Sequence, residues 1–434
     1  MASGKPTEAR AISRPLTALG KLRARFSFRQ YLIFIFLLSL AARAALIFLL
    51  SNFNRVSGME NEGIALNMLA GKGYSYAFIV NEMPTAIVGP VYTVFLYLHF
   101  LFFGKNYLPV ELSQALIASV SALVLALIGR RMAGERVGII SGFLFALYPT
   151  YAYWCALPLQ LTVDIFMLEL SILLVMLAFD RQKLAYHILA GAWIGLTALS
   201  KSFYLSFLIL YLAWVWLWQR PNLKSIVYAG CVWAACAALV ITPWSIRNYR
   251  VFREWVPLTT NGGANLWYGN NPNATGALYT KDGRSMLSTI PRELMNKIAG
   301  AKTEAEKDRI LSRAGKDWAK SHPQEFLKLV PLRLRAIWWF DPEMESSFPA
   351  LRKMVYAALL VFAIPGIILA LRLWKQVSIF YLLAAWESGF YSFFVGQARF
   401  RYLIEFGFLL FCACFLAWLG DKVLAASRKF AQTS

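Results

Sequence analysis

The chain has 434 residues, 59% hydrophobic and 15% charged, with a formal net charge of +21 and a mean hydropathy of +0.52. It is too apolar for a soluble domain, and its apolar runs recur at the length that crosses a bilayer, which makes it a polytopic membrane protein. The basic excess has no soluble domain to carry it, so nucleic-acid binding is set aside in favour of loops facing anionic lipid on the cytoplasmic side.

Residues 1–30 form a basic tail, and Lys21, Arg23, Arg25 and Arg29 next to the membrane assign it to the cytoplasm. The apolar run from Tyr31 to Phe53 is too long for a signal peptide and lacks a small-residue cleavage site, so it reads as a retained first span. Residues 54–110 then form an outer loop within an N-terminal membrane module of residues 31–244. In this loop Ile64, Ala65, Met68 and Leu69 recur at helical spacing after Glu60 and Glu62, which predicts a short helix along the interface, stopped by Gly71 and Gly73. The apolar segment 88–104 is predicted as a juxtamembrane or re-entrant helix. If it crossed, Arg130, Arg131 and Arg136 would face outward.

Further spans are expected at 111–129, 137–154, 157–179, 186–200, 203–218 and 225–244. Residues 245–353 are mostly polar and read as an extracytoplasmic segment that is mainly helical in its second half. Spans at 354–374, 377–396 and 402–420 lead to a basic cytoplasmic tail, 421–434. With the first helix this makes about ten transmembrane helices with both termini inside, in an all-α bundle. The five cysteines lie in or beside apolar runs and imply no disulfide framework, and the three histidines are scattered without ligand spacing, so no metal site is expected.

The outward ends collect charges: Glu60 and Glu62 on the first loop, Lys201 at an outer turn, Arg247 and Asn248 after Pro243-Trp244, and Arg399 and Arg401 at the start of the last span. Cations from separate helix ends facing acids on one loop suit a phosphate or diphosphate at the membrane surface. The plainer alternative for each is an interfacial anchor reaching headgroups. A carboxylate on such a loop can take a proton from an attacking hydroxyl. The stretch with Asn261, Trp267, Tyr268 and Asn270 combines turn residues with aromatics that can shape a sugar-binding surface. Asp164, Glu169 and Glu387 are costly in lipid and must face other helices or a cavity.

Four stretches together resemble the polytopic GT-C glycosyltransferases, in particular the bacterial branch related to protein O-mannosyltransferases and lipid A aminoarabinose transferases. They are GMENEGIALNMLAGKGYSY with PTAIVGPVY, GLTALSKS, TPWSIRNYRVFREWVPLTTNGGANLWYGNNPNATG, and RFRYLIEF. The resemblance implies a membrane-embedded enzyme of the inner membrane that uses a polyprenyl-phosphate sugar as donor, without a cofactor, and serves an acceptor protein, lipid or glycan at the outer face. It implies an acidic catalytic residue at Glu60, with Glu62 second, and donor-phosphate contacts from Lys201, Arg247 and Arg399. Where relatives often carry a Ser-Glu pair this chain has Pro158-Leu-Gln160-Leu, and its last motif reads Arg399-Phe-Arg-Tyr-Leu403 rather than Arg-Tyr-Arg-x-Pro. A flippase for lipid-linked sugars and an inactive structural relative are the competing expectations.

Overall fold

The computed structural model describes residues 26–51, 59–339 and 349–433, with the side chains of 349 and 428–433 left aside. Most of the expected basic N-terminal tail, Gly58 at the start of the outer loop, and residues 340–348 of the long segment lie outside the described residues.

The first helix, α1 (Phe28–Leu50), starts three residues before the expected Tyr31 because Ser27 and Gln30 form a capping box. Glu60 opens α2 (Glu60–Leu69), where it and Glu62 sit in the first turn and complement the helix dipole. Strands β1 (Ser75–Ala77) and β2 (Glu82–Pro84) then pair antiparallel, Tyr76 opposite Met83. This hairpin was not expected in an all-α chain. Its tip residues Phe78, Ile79 and Val80 find an apolar partner surface far along the chain, around Ala264, Trp267 and Leu311. Short-range periodicity carries no trace of that packing.

The apolar segment predicted to lie beside the membrane forms α3 (Pro90–Phe103), with proline at its first position. It is shorter than a spanning helix. The bundle continues with α4 (Leu108–Ala133), α5 (Glu135–Leu147), α6 (Pro149–Cys155), α7 (Leu161–Arg181), α8 (Leu184–Ser200), α9 (Phe207–Gln219) and α10 (Leu223–Phe252). One expected span, 137–154, is broken between α5 and α6, where Tyr148 turns extended before Pro149.

Helix α10 runs past the expected boundary at Trp244, through Pro243 and Arg247 to Phe252. The extension holds because its side chains bind the segment that folds back on it: Trp244 Nε1 donates to the Leu258 carbonyl and Ser245 Oγ to that of Pro257. The long polar segment carries α11 (Gly262–Gly269), α12 (Arg292–Ala299), α13 (Glu304–Ser321) and α14 (Pro323–Trp338). The chain ends with α15 (Pro349–Ala370), α16 (Trp374–Tyr391), a short α17 (Ala398–Tyr402) and α18 (Glu405–Thr433). Arg399 and Arg401 therefore stand on a separate turn of helix rather than at the start of the last long helix.

Among the described residues seven stretches are long and apolar enough to cross a membrane, one of them a 42-residue run, Ala350–Tyr391, that takes in α15 from its second residue and all of α16. The chain is a nearly all-helical polytopic membrane protein. Its main core runs through α4, α7, α9, α16 and α18, with Trp214, Phe207, Leu168, Leu383 and Phe406 fully enclosed.

Candidate active site

Glu60 stands on the first turn of α2, half-buried, and makes no side-chain hydrogen bond or ion pair among the described residues. Its neighbour Asn61 points inward and starts a chain of hydrogen bonds. Asn61 Nδ2 donates to Gln160 Oε1 at 3.0 Å, Gln160 Nε2 to Asp164 Oδ2 at 3.0 Å, and Ser200 Oγ to Asp164 Oδ1 at 2.5 Å. Thr93 of α3 adds a bond to Asn61 Oδ1 at 2.8 Å. The relay thus starts beside Glu60 and ends beside Lys201, crossing α2, α7 and the end of α8. Each member is a short polar side chain whose capacity is taken up by the next, so the loop is fixed against the helix ends with little freedom to slide.

Lys201 ends α8 and is held by charge and ring faces rather than hydrogen bonds. Its Nζ lies 5.1 Å from the Phe400 ring centroid and 6.0 Å from that of Tyr204. Asp164, Glu387 and Arg399 are the charges that act on it. Gly89 allows the close approach: a Cβ there would collide with the Leu199 carbonyl oxygen, so only glycine lets the start of α3 lie against the Lys201 turn.

Arg399 is exposed on α17, with its guanidinium 5.6 Å from the Phe400 ring. Phe400 stacks on Tyr391 at 3.6 Å and 5°, which ties α17 to α16. Tyr268 of α11 joins the two sides of the site. Burial pushes its hydroxyl well above the usual phenol range, Glu60 adds to that shift and Arg399 opposes it. One tyrosine therefore feels both the acid and the cation. Gly269 makes this possible, since a side chain there would strike the Phe394 carbonyl that precedes α17. Tyr76 of the hairpin also feels Glu60, behind a larger effect of burial.

The other expected site residues are bonded into the fold. Glu62 is buried and accepts from Tyr107 Oη at 2.6 Å, with Lys105 Nζ at 3.7 Å. Arg247 donates to the Thr85 carbonyl at 2.6 Å and the Tyr74 carbonyl at 2.8 Å, and so holds the first outer loop to α10. That loop has a second clamp: Glu304 accepts from the Ala86 N–H at 2.9 Å and from the hydroxyls of Thr85 and Thr260. Arg401 is enclosed, donating to Glu405 at 2.7 Å and the Trp339 carbonyl at 2.6 Å.

Asn248 donates to the carbonyls of Val256 and Leu258. Asn270 donates to those of Leu266 and Phe393 and accepts from Arg333. Asn261 accepts from the Thr259 hydroxyl, and Trp267 is nearly enclosed with no hydrogen-bond partner for Nε1. The structure thus brings together Glu60, Lys201, Arg399 and Tyr268. It adds Asn61, Gln160, Asp164, Tyr204 and Glu387, which adjacency in sequence does not connect. Their cue was the cost of a carboxylate in an apolar helix, which singles out Asp164 and Glu387. Among the described residues no group of three or more His, Cys, Asp or Glu is placed to hold a metal ion.

The sequence profile of the dolichyl-phosphate-mannose-protein mannosyltransferase family matches residues 87–246, from just before α3 into α10. No curated protein matches the sequence. The structure superposes on that of the Archaeoglobus fulgidus oligosaccharyltransferase AglB in complex with an inhibitory peptide and a dolichol-phosphate, with a TM-score of 0.56 and 15% identity. That match covers 94% of this chain and 52% of the other. The apo form of the same oligosaccharyltransferase gives 0.57 at 15% identity, again over 94% and 52%. The fold is the GT-C glycosyltransferase fold. ArnT from Cupriavidus metallidurans bound to undecaprenyl phosphate matches with a TM-score of 0.41 and 12% identity, over 93% of this chain and 78% of that one. This GT-C chain spans about half the length of the oligosaccharyltransferase it matches.

Proposed function

We propose that the protein is a membrane glycosyltransferase that moves a sugar from a polyprenyl-phosphate donor to an acceptor protein, lipid or glycan at the extracytoplasmic face, with inversion. Both termini lie in the cytoplasm in this reading. The observation that carries it is the convergence of Glu60, Lys201 and Arg399, joined by the relay through Asp164 and by Tyr268, with none of the three cluster charges hydrogen-bonded to the fold. Charges whose hydrogen-bonding capacity the fold leaves open can be met by a ligand of opposite charge.

In the reaction, the acceptor hydroxyl oxygen bonds to the sugar's anomeric carbon as the bond from that carbon to the phosphate oxygen breaks. Glu60 takes the hydroxyl proton, and the polyprenyl phosphate leaves with the bonding electrons. Lys201 and Arg399 neutralise the charge that grows on the leaving phosphate, with no metal called for in that role. Arg247 and Glu304 act at one remove, by fixing the loop that carries Glu60. Both the family profile and the fold support a lipid-linked donor.

The test compares envelope glycans by mass spectrometry in cells lacking the protein, cells given the wild type and cells given Glu60→Gln. The wild type should restore a mass that the deletion loses. Glu60→Gln should not, even at wild-type levels in the membrane, because a general base contributes about 10²–10⁴-fold. Full restoration by Glu60→Gln would remove the mechanism.

A further inference from the structure

Two carboxylates flank Lys201, and they differ in what surrounds them. Asp164 has a hydrogen bond to each oxygen, from Ser200 and from Gln160. Glu387 of α16 is fully enclosed, and neither of its oxygens has a hydrogen-bond partner among the described residues. The hydroxyl of Tyr204, three residues past Lys201, is also buried without a partner among the described residues. Asp164 therefore has its acceptor capacity taken up by the fold. An ionised Glu387 has Lys201 as its one compensating charge.

The charged and titratable groups around Glu387 come from each neighbouring element. The turn after α8 supplies Lys201 and Tyr204, α7 supplies Asp164, and α17 supplies Arg399. Tyr391 lies one turn further along α16, stacked on Phe400. From α14, Arg333 reaches the end of α16 but is bonded to the carbonyls of Ser392 and Gly269. A phosphodiester at Lys201 brings one negative charge. The phosphate and the ionised Glu60 that serves as base already balance Lys201 and Arg399. An ionised Glu387 would then be a surplus anion in an enclosed space, facing another anion with acceptors only.

We propose that Glu387 is a further donor-binding residue, which works as a neutral carboxylic acid and gives its O–H to a non-bridging oxygen of the lipid phosphate held by Lys201. The inference rests on the donor reading above and adds the protonation state that the occupied site requires. When Glu387 begins ionised, donor binding takes up one proton from solvent. When it begins neutral, none moves. The phosphate-bound state holds the proton, so binding weakens with rising pH wherever the free carboxyl is ionised and is level where it begins neutral.

The test measures binding of undecaprenyl methyl phosphate, a phosphodiester of constant charge, to the purified full-length protein in lipid nanodiscs from about pH 6 to about pH 9. For the wild type, Kd should be flat at the acid end and then rise about tenfold per pH unit. Glu387→Gln keeps an N–H donor and cannot ionise, so it should bind at pH 6 about as the wild type does and lose affinity less steeply as pH rises, the remaining slope belonging to Lys201, whose ammonium burial lowers to about 8. Glu387→Leu should lose about tenfold or more at pH 6. A Glu387→Gln slope equal to the wild type's would assign the pH dependence to Lys201 and overturn the proposal. So would Glu387→Gln binding as weakly as Glu387→Leu at the acid end. If the wild type itself does not bind the probe at any pH, the donor reading fails, and that result is distinct from binding without a slope.

Discussion

Arg399 and Arg401 are two residues apart on the same short helix and belong to different regions of the molecule. Arg401 points into the bundle, where Glu405, a main-chain carbonyl and the face of Tyr356 at 3.6 Å surround it. Arg399 is exposed, lies over the Phe400 ring and acts on the same tyrosine, Tyr268, as Glu60 does. The same division runs through the charges of the candidate site and the loop beside it, though not through every enclosed carboxylate, since Glu111 and Glu169 lie elsewhere without a hydrogen-bond partner among the described residues. Glu62, Arg247 and Glu304 are bonded to hydroxyls and main-chain groups, whereas Glu60, Lys201 and Glu387 are not. Around this site, how completely a charge is bonded separates the groups that hold the fold from those left for a ligand.

Substitutions that exchange these two classes test the division. The largest effect is expected for Arg401→Met, which leaves Glu405 enclosed with only Tyr148 as a donor. The cost should be about 3–5 kcal/mol, seen as a large drop in thermal denaturation temperature or failure to accumulate in the membrane. Arg399→Ala should do the reverse, with an unchanged melting temperature and an undecaprenyl methyl phosphate Kd about ten- to a hundredfold weaker, the value of a charge-assisted bond to phosphate. If Arg399→Ala melts early with binding intact, the division is broken. The smallest effect is expected for Tyr107→Phe, which removes one hydrogen bond to Glu62. It should cost about 1 kcal/mol of stability and leave phosphate binding alone. Loss of binding there would move Glu62 into the site.

Much of this was legible along the chain. Glu60, Lys201 and Arg399 stand out because charges at the ends of apolar runs are few and each needs a reason. The same rule picks out Arg247, Arg401 and Glu62 equally, and these are bonded into the fold. Asn61 was passed over because an uncharged amide next to a turn is ordinary, Gln160 was noted only as a departure from the related motif, and the relay appears only when α2 and α7 are side by side. The hairpin at 75–84 was missed for a related reason. Three-residue strands are too short for a period-2 signal, and this pair is held by packing on α11 and α13.

Composition and the period of the apolar runs determined that the chain is a helical membrane protein, because bilayer thickness and the cost of unpaired backbone groups leave few other solutions. They also placed the charges at helix ends. Which of those charges remain available was decided by the tertiary structure. A side chain's partners come from elements up to hundreds of residues away, as with Thr85 and Glu304, and hydrogen-bond saturation is a property of that assembled neighbourhood rather than of any stretch of sequence.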